Sequence, residues 1–348
     1  MKQDWFVAAV LGVSMLAMAQ QPPKVINAQF HTEPVGAGLS ATVGRFQHSN
    51  GPLWLGYEVA AVPRTRFSVC SGDGNSMDDG CCGVYRLEDS DNSFRTSDSN
   101  QAAQTNIDVL VRIDHGVVDK LRFIGTGCRV DAGGLPFTWI TGVQPDDSVA
   151  WLSGLVKPED KRHADQALAA IAMHETAKAT IALAGFASSS NPLWLRDKAA
   201  FWLGAGRGHD GLLELEKLAN DSDPEFRKKL AFDFSVNHDP AAVDDLIRLA
   251  KSDTDTRVRE QAIFWVAQKA GKKAVATLKD AVENDPELVV KKKAVFALSQ
   301  LPKDEAVPDL LHVAQTNTDA AVRKEAIFWL GQTHDPRALA YFEQILEK

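Results

Sequence analysis

The 348-residue chain lacks any excess of positive charge: 38 Lys and Arg stand against 46 Asp and Glu, a net charge of −8. Phosphate binding needs a basic footprint, so nucleic acid is not an expected partner. Long apolar runs are nearly absent. The one that stands out, Trp5 to Met18, falls short of the roughly twenty residues that span a bilayer. Cysteine is sparse too, with only Cys70, Cys81, Cys82 and Cys128, too few for a cysteine-rich framework.

Catalytic signatures are also missing. There is no G-x-S-x-G elbow, P-loop or H-E-x-x-H helix. His174-Glu175 opens the last of these, but Lys178 stands where its second histidine belongs. Gly206-x-Gly208-x-x-Gly211 has the letters of a dinucleotide fingerprint without the strand that must precede it. His209-Asp210, His238-Asp239 and His334-Asp335 recur at turns, where each Asp has a local use as a cap. His31, Glu33 and His48 share one region, and the sequence does not bring them together. No catalytic residue, cofactor or metal ligand is therefore assigned, and an enzyme is the lesser expectation.

What is present begins with an address. Lys2, the apolar run and Ala17-Met18-Ala19 form the pattern of a signal peptide over residues 1–19, with a mature start near Gln20. Export to the periplasm or beyond follows as an expectation, with no stable membrane insertion after cleavage. An oxidising compartment favours two disulfides over a thiolate metal site. A Cys81–Cys82 bond between neighbours is strained, so Cys70 is expected to pair with one of them and Cys128 with the other.

The second half repeats itself. Phe201, Phe232, Phe264, Phe296 and Phe328 recur at intervals of 31, 32, 32 and 32 residues. Six before each stands Leu195, Phe226, Val258, Val290 or Val322, and two after it Leu203, Phe234, Val266, Leu298 or Leu330. Those offsets share one side of a 3.6-residue helix. A preceding helix is marked by Leu183, Leu246, Leu278 and Leu310 eighteen residues before their Phe, and by Leu213 and Leu215 in the shorter second unit. Each unit reads as a helical hairpin whose apolar side only the next hairpin can cover, the logic of a solenoid. Asp-Pro pairs at Asp223, Asp239, Asp285 and Asp335 predict helix starts. Asp223 with Arg227, Asp255 with Arg259, Glu287 with Lys291 and Asp319 with Arg323 predict i, i+4 ion pairs.

Between the address and the repeats the apolar period becomes two. Ile107, Val109, Val111 and Ile113 alternate, Asp114-His115-Gly116 turns the chain, and Val117 to Ile124 completes a hairpin. Leu53–Ala60, Val84–Glu88 and Phe137–Val143 are further strand candidates. Ser68 to Asn100 reads as a long loop, where Asp73, Asn75, Asp78 and Asp79 cluster oxygens without the EF-hand spacing. Asp146, Asp147 and Ser148 can cap a short helix over 149–156, and Trp139 and Trp151 are expected to seal the junction of two domains. The fold class is then α+β with two domains. Residues 25–145 form a disulfide-bonded, mostly β domain, and 146–348 an all-α solenoid of about five to six hairpins.

Val322 to Gly331, followed by Asp335-Pro336-Arg337-Ala338, resembles the second helix and following turn of a HEAT repeat, of the short type seen in bilin-lyase-like proteins. Asp131-Ala132-Gly133-Gly134 through Trp151 is similar to stretches of exported bacterial HEAT-repeat proteins. The resemblance implies a protein-binding scaffold, in which the Phe position faces the concave surface. Five Phe there mean either an aromatic ladder lining the groove or rings stacked and buried on one another. The positions five, four and three before each Phe carry eleven basic residues, three acidic ones and Gln261. The basic set includes Lys228, Lys292 and Lys324, with Lys198, Lys229 and Lys293 beside them. The expected partner is another envelope or secreted protein with an acidic, apolar surface, held on the Phe spine and selected by the lysines. Two other readings remain open: a hydrolase or ligand-binding β domain that uses the array as a support, and a bilin-lyase-like enzyme.

Overall fold

The computed structural model describes residues 22–49, 51–62, 67–70, 81–82, 84–89, 94–96, 105–269 and 271–347. The signal-peptide reading, the acidic cluster at 73–79 and the side chains of Cys70, Cys81 and Cys82 lie outside them, and the disulfide pairing with them. The chain begins with β1 (Lys24–Ile26), β2 (Gln29–Pro34), α1 (Leu39–Phe46) and β3 (Leu53–Ala60). Next come β4 (Phe67–Cys70), β5 (Cys81–Cys82), β6 (Val84–Arg86), β7 (Phe94–Thr96), β8 (Asn106–Asp114), β9 (Val117–Gly125), β10 (Arg129–Asp131) and β11 (Pro136–Thr141). Helices follow without interruption: α2 (Pro145–Ser153), α3 (Lys161–Met173), α4 (Ala177–Phe186), α5 (Leu193–Gly206), α6 (Gly208–Leu218), α7 (Pro224–Val236) and α8 (Ala242–Ser252). The last six are α9 (Thr256–Lys269), α10 (Lys272–Asn284), α11 (Leu288–Ser299), α12 (Lys303–Thr316), α13 (Ala320–Thr333) and α14 (Pro336–Leu346).

The period-two segments build a five-stranded sheet in the order β2-β11-β3-β8-β9. Alternation decides its two faces. Leu55, Tyr57, Val59, Val109, Val111 and Ile140 point toward the helices and join one apolar core that continues through the repeats to Ala338. Trp54, Leu110, Ile124, Phe137 and Trp139 point the other way, against Tyr85, Leu87 and Val130 near the small parallel sheet β1-β10-β6. Trp139 therefore fills the far layer and does not seal the junction, whereas Trp151 does pack on the continuous core. The β8–β9 loop is the two residues His115 and Gly116, both with positive φ, as a hairpin twisted like its strands requires.

Buried polar contacts tie the sheet to the first helices and those helices to one another. Tyr57 Oη lies 2.8 Å from Ser148 Oγ, and Ser148 Oγ lies 2.7 Å from His174 Nε2, all inside the core. Ser148 is thus a buried part of α2, not its cap, and Pro145 starts that helix. Burial lowers the His174 pKa to about 4, so the ring is neutral and works as a hydrogen-bonding staple. Arg207, at the α5–α6 turn, donates to the carbonyls of Ala172, His174 and Thr176 and to Thr180 Oγ1, at 2.6 to 3.1 Å. These bonds satisfy the exposed carbonyls at the end of α3.

The glycine fingerprint around Arg207 now has a packing reason. A side chain at Gly211 would place Cβ 2.0 Å from the Leu203 carbonyl oxygen, and at Gly206 one would press on Ala172 Cβ at 3.2 Å. Gly208 has φ +51. The glycines bring α6 close against α5 and its turn.

Candidate docking surface on the repeat array

The units are the helix pairs α4–α5, α6–α7, α8–α9, α10–α11 and α12–α13, with α14 covering the end. Their second helices pack side by side in the order α3, α5, α7, α9, α11, α13. The offset −6, −2 and +2 residues are buried in every unit, as the periodicity requires. The first-helix leucines are buried as expected except in the short unit, where Leu212 and Leu215 face inward and Leu213 is exposed.

The arginines at offset −5 behave differently from the i, i+4 expectation. Arg227 Nε and Nη2 donate to both carboxylate oxygens of Asp253 at 2.8 Å, and Arg259 does the same to Asp285 at 2.8 and 3.1 Å. The third nitrogen of each donates to the carbonyl of Asp221 or Asp253. Arg196 pairs with two aspartates, Asp221 at 2.7 Å and Asp223 at 3.4 Å, one nitrogen to each. Arg196, Arg227 and Arg259 therefore clamp the loop of the following unit, whereas Arg323 donates to the Asn317 and Thr318 carbonyls of its own unit. Asp223, Asp255 and Asp319 accept from the backbone N–H of Glu225, Arg257 and Ala321. The physical reason is reach: a buried guanidinium fork is satisfied bidentately across the hairpin boundary, which a same-helix carboxylate at the solvent edge does not allow. The fourth joint departs from the pattern. Lys291 donates to the Glu283 carbonyl, and Asn317 takes the place of the aspartate.

The Phe positions form a ladder whose rings are partly covered by each other. Phe201 stacks on Phe232 with centroids 5.9 Å apart, and Phe232 meets Trp265 at 4.8 Å. Trp265 touches Phe264 at 5.0 Å, Phe296 touches Trp329 at 4.9 Å, and Trp329 touches Phe328 at 5.0 Å. Between Phe264 and Phe296 the Lys293 ammonium replaces a ring, 5.4 and 5.1 Å from their centroids. Phe232 remains 37% exposed and Phe328 54%, while Phe201, Phe264 and Phe296 are half-buried. The ladder thus stacks and faces solvent together. The period-32 pattern revealed the phenylalanines, whereas the residues one step later, Trp202, Trp265 and Trp329, were missed as rungs because they occur in alternate units only.

The lysines beside the ladder are mostly engaged. Lys198 pairs with Asp165 at 3.3 Å, Lys229 with Asp197 at 3.0 Å, Lys228 with Glu225 at 2.5 Å, and Lys292 approaches Glu325 at 4.0 Å. Lys324 is exposed with no acidic partner among the described residues. In the second unit Asp233 occupies the tryptophan position. It is 1% exposed, and burial with Asp197 nearby holds its carboxyl well above the usual range.

The other sequence candidates do not assemble. Glu33 is taken by Arg45 at 2.6 Å, and His31 and His48 are exposed. His209 Nδ1 lies 2.8 Å from Asp239 of the next unit, whose carboxylate also accepts from the Ala241 N–H. Among the described residues, no group of three or more His, Cys, Asp or Glu side chains is placed to hold a metal. No helix of the described residues is long and apolar enough to cross a membrane.

The family model of HEAT repeats matches residues 212–299 and 275–348. Residues 212–348 therefore carry HEAT repeats. No curated protein sequence matches the chain. Among solved structures, the chain is similar to the complex of CpcE and CpcF of phycocyanin lyase from Nostoc sp. PCC7120, at 22% identity over 44% of this chain and 99% of that one, TM-score 0.35. Human deoxyhypusine hydroxylase is 18% identical over 57% of this chain and 90% of its own, TM-score 0.32. Kap121p is 13% identical over 58% of this chain and 27% of its own, TM-score 0.36.

Proposed function

We propose that the HEAT array is a protein-docking scaffold whose partner lies along the second-helix face. The observation that carries this reading is the ladder from Phe201 to Phe328, an aromatic strip bridged at Lys293 that leaves the Phe232 and Phe328 rings open to solvent. Exposed aromatics in a row supply contact area at low entropy cost and are typical binding anchors. The β unit shares one core with the first helices, which supports a rigid platform over a swinging module. The sealed Ser148–His174 contact, with both side chains buried, favours a packing role for the pair over nucleophilic chemistry. The amino-terminal pattern of Lys2, the apolar run and Ala17-Met18-Ala19 supports export, and so a partner in the envelope or outside the cell.

The test is co-purification of a partner from the envelope fraction with the chain and with Phe232→Ser plus Phe328→Ser. Loss of that partner with an unchanged thermal midpoint supports docking. Equal recovery on both proteins refutes the strip as the contact.

A further inference from the structure

At α13 the clamp between units is half made. Arg323 Nη1 donates to the Asn317 carbonyl at 2.8 Å, as Arg227 Nη1 does to Asp221 and Arg259 Nη1 to Asp253. In Arg227 and Arg259 the other edge of the guanidinium, Nε and Nη2, takes the carboxylate of the next unit. On Arg323 that edge meets no carboxylate among the described residues. Beside it Lys324 is exposed, again with no acidic partner among the described residues. Its place in the helix is the one from which Asp165, Asp197 and Lys292 each meet the opposite charge on the following second helix, Lys198, Lys229 and Glu325. Two cations of one joint are therefore uncommitted, and a carboxylate gains a charge-assisted hydrogen bond at such a cation.

The apolar side of the same joint is open as well. The repeat that buries Ala250, Val282 and Ala314 puts Leu346 at the equivalent place, where it is 85% exposed. Leu339 and Ile345, the counterparts of the buried Val307 and Val313, are 60% and 42% exposed. In the unit before, α12 packs chiefly on α13, its own second helix. Among the described residues no second helix follows α14. The other joints show what fits such a face. Val258, Ala262 and Val266 in α9, and Val322, Ala326 and Leu330 in α13, are buried at intervals of one turn, a branched residue, a small one and a second apolar one. In α7, α9 and α11 the clamping carboxylate, Asp221, Asp253 or Asp285, stands five residues ahead of the first of these.

We propose that α13 and α14 receive an amphipathic helix of a second protein, packed where the second helix of a further unit would lie, with an aspartate ahead of it on Arg323 and an acidic residue of the helix on Lys324. The three open side chains of α14 supply the apolar contact, and the two cations set its direction and register. A second copy of this chain does not offer such a helix, because its own helices of this pattern have their apolar sides buried in the array. The surface lies beyond the aromatic ladder, and the inference does not rest on the docking reading above.

The probe is a fluorescent peptide, Asp-Thr-Asp-Pro-Ala-Val-Gln-Gln-Glu-Ala-Ile-Ala-Gln-Leu, locked as a helix by a hydrocarbon link on its outward side because a free helix of this length is marginal in water. It is titrated into the full chain and followed by anisotropy. Saturable binding is expected, and a peptide with Asn for the leading Asp should bind roughly tenfold more weakly, the value of one charge-assisted hydrogen bond. Arg323→Gln should erase that difference. Leu339→Asp plus Leu346→Asp, both at exposed positions, should abolish binding without moving the thermal midpoint, and Phe232→Ser should leave binding unchanged. Absence of binding overturns the helix site. Binding lost in Phe232→Ser but kept in the α14 double variant puts the helix on the ladder and overturns it too. Equal binding of the two peptides overturns the role of Arg323. A dimer of the chain alone that the α14 double variant dissolves puts a second copy on this face and overturns the partner helix.

Discussion

The clamp from each unit to the next makes a quantitative demand on Asp285. Its carboxylate accepts from Nε and Nη2 of the Arg259 guanidinium and also from the Glu287 N–H at 2.9 Å. Both side chains are buried, so Asp285→Ala leaves a guanidinium with only the Asp253 carbonyl. Removing one partner of a buried ion pair costs about 3–5 kcal/mol, because the remaining charge stays desolvated. The same-helix acid, Asp255, caps α9 and pairs with the exposed Arg257, so Asp255→Ala should cost only about 1 kcal/mol. In a linear array a broken joint uncouples the units beyond it. Urea unfolding should therefore split in the Asp285→Ala variant, with helix signal from α10 to α14 lost first. Trp329 lies beyond the break and Trp265 before it, so keeping one tryptophan at a time separates the two transitions by fluorescence. If Asp255→Ala costs as much as Asp285→Ala, the cross-unit clamp is not what holds the joint.

Three further outcomes are expected from the described geometry. His174 is held neutral, with its pKa lowered from 6.5 to about 4, so stability present above pH 6.5 is lost as pH falls through about 4; at about 1.4 kcal/mol per unit this is about 3 kcal/mol, and His174→Gln should flatten the acid limb of a stability-versus-pH curve. Asp233 has the opposite sign: its raised pKa gives stability present below about 4 that declines as pH rises, so Asp233→Asn should gain on the parent toward alkaline pH and match it in acid. Asp108, pushed up to about 8 by burial and Glu58, slopes the same way, so the comparison is of variant with parent at each pH. Gly211→Ala drives a methyl into the Leu203 carbonyl and should destabilise by about 2 kcal/mol or more, read from the thermal midpoint, whereas Gly185→Ala, with open space at its Cβ, should not.

How much of this was legible in the sequence depended on whether the signal was local. Amphipathic offsets around Phe201 to Phe328 found the second helices because burial of −6 and +2 follows from helix geometry alone. The strands 53–60 and 107–113 were legible from period two for the same reason. The pairing of Arg227 was misread because i, i+4 is the nearest acid along the chain, while the actual partner lies 26 residues away across a hairpin boundary. Trp139 was misplaced because alternation sets which residues share a face but not which face meets the helices. Ser148 and Tyr57 gave no signal, since a hydroxyl pair joined through a histidine far along the chain has no local pattern. The lysine strip overstated its charge because composition counts cations and not their neighbours, and Asp165, Asp197 and Glu225 each take one.

The fourth joint shows where the array is least secure and how to repair it. At three joints an arginine of one unit grips an aspartate of the next: Arg196 with Asp221, Arg227 with Asp253, Arg259 with Asp285. At the equivalent place Lys291 reaches only the Glu283 carbonyl, and Asn317 binds the Glu283 carboxylate at 3.2 Å. A lysine offers a point charge where the others offer a planar fork, and an amide offers no charge to meet it. Asn317→Asp alone sets a new carboxylate beside Glu283 and should destabilise. Lys291→Arg alone leaves the fork without a carboxylate and should change little. Together they rebuild the clamp, with an expected favourable coupling of about 1–2 kcal/mol and slower amide exchange through α12 to α14. If the double variant equals the sum of the singles, the joint is held by the apolar core between α11 and α13, and the ion pairs at the other three joints set the register of the loops without adding to cohesion.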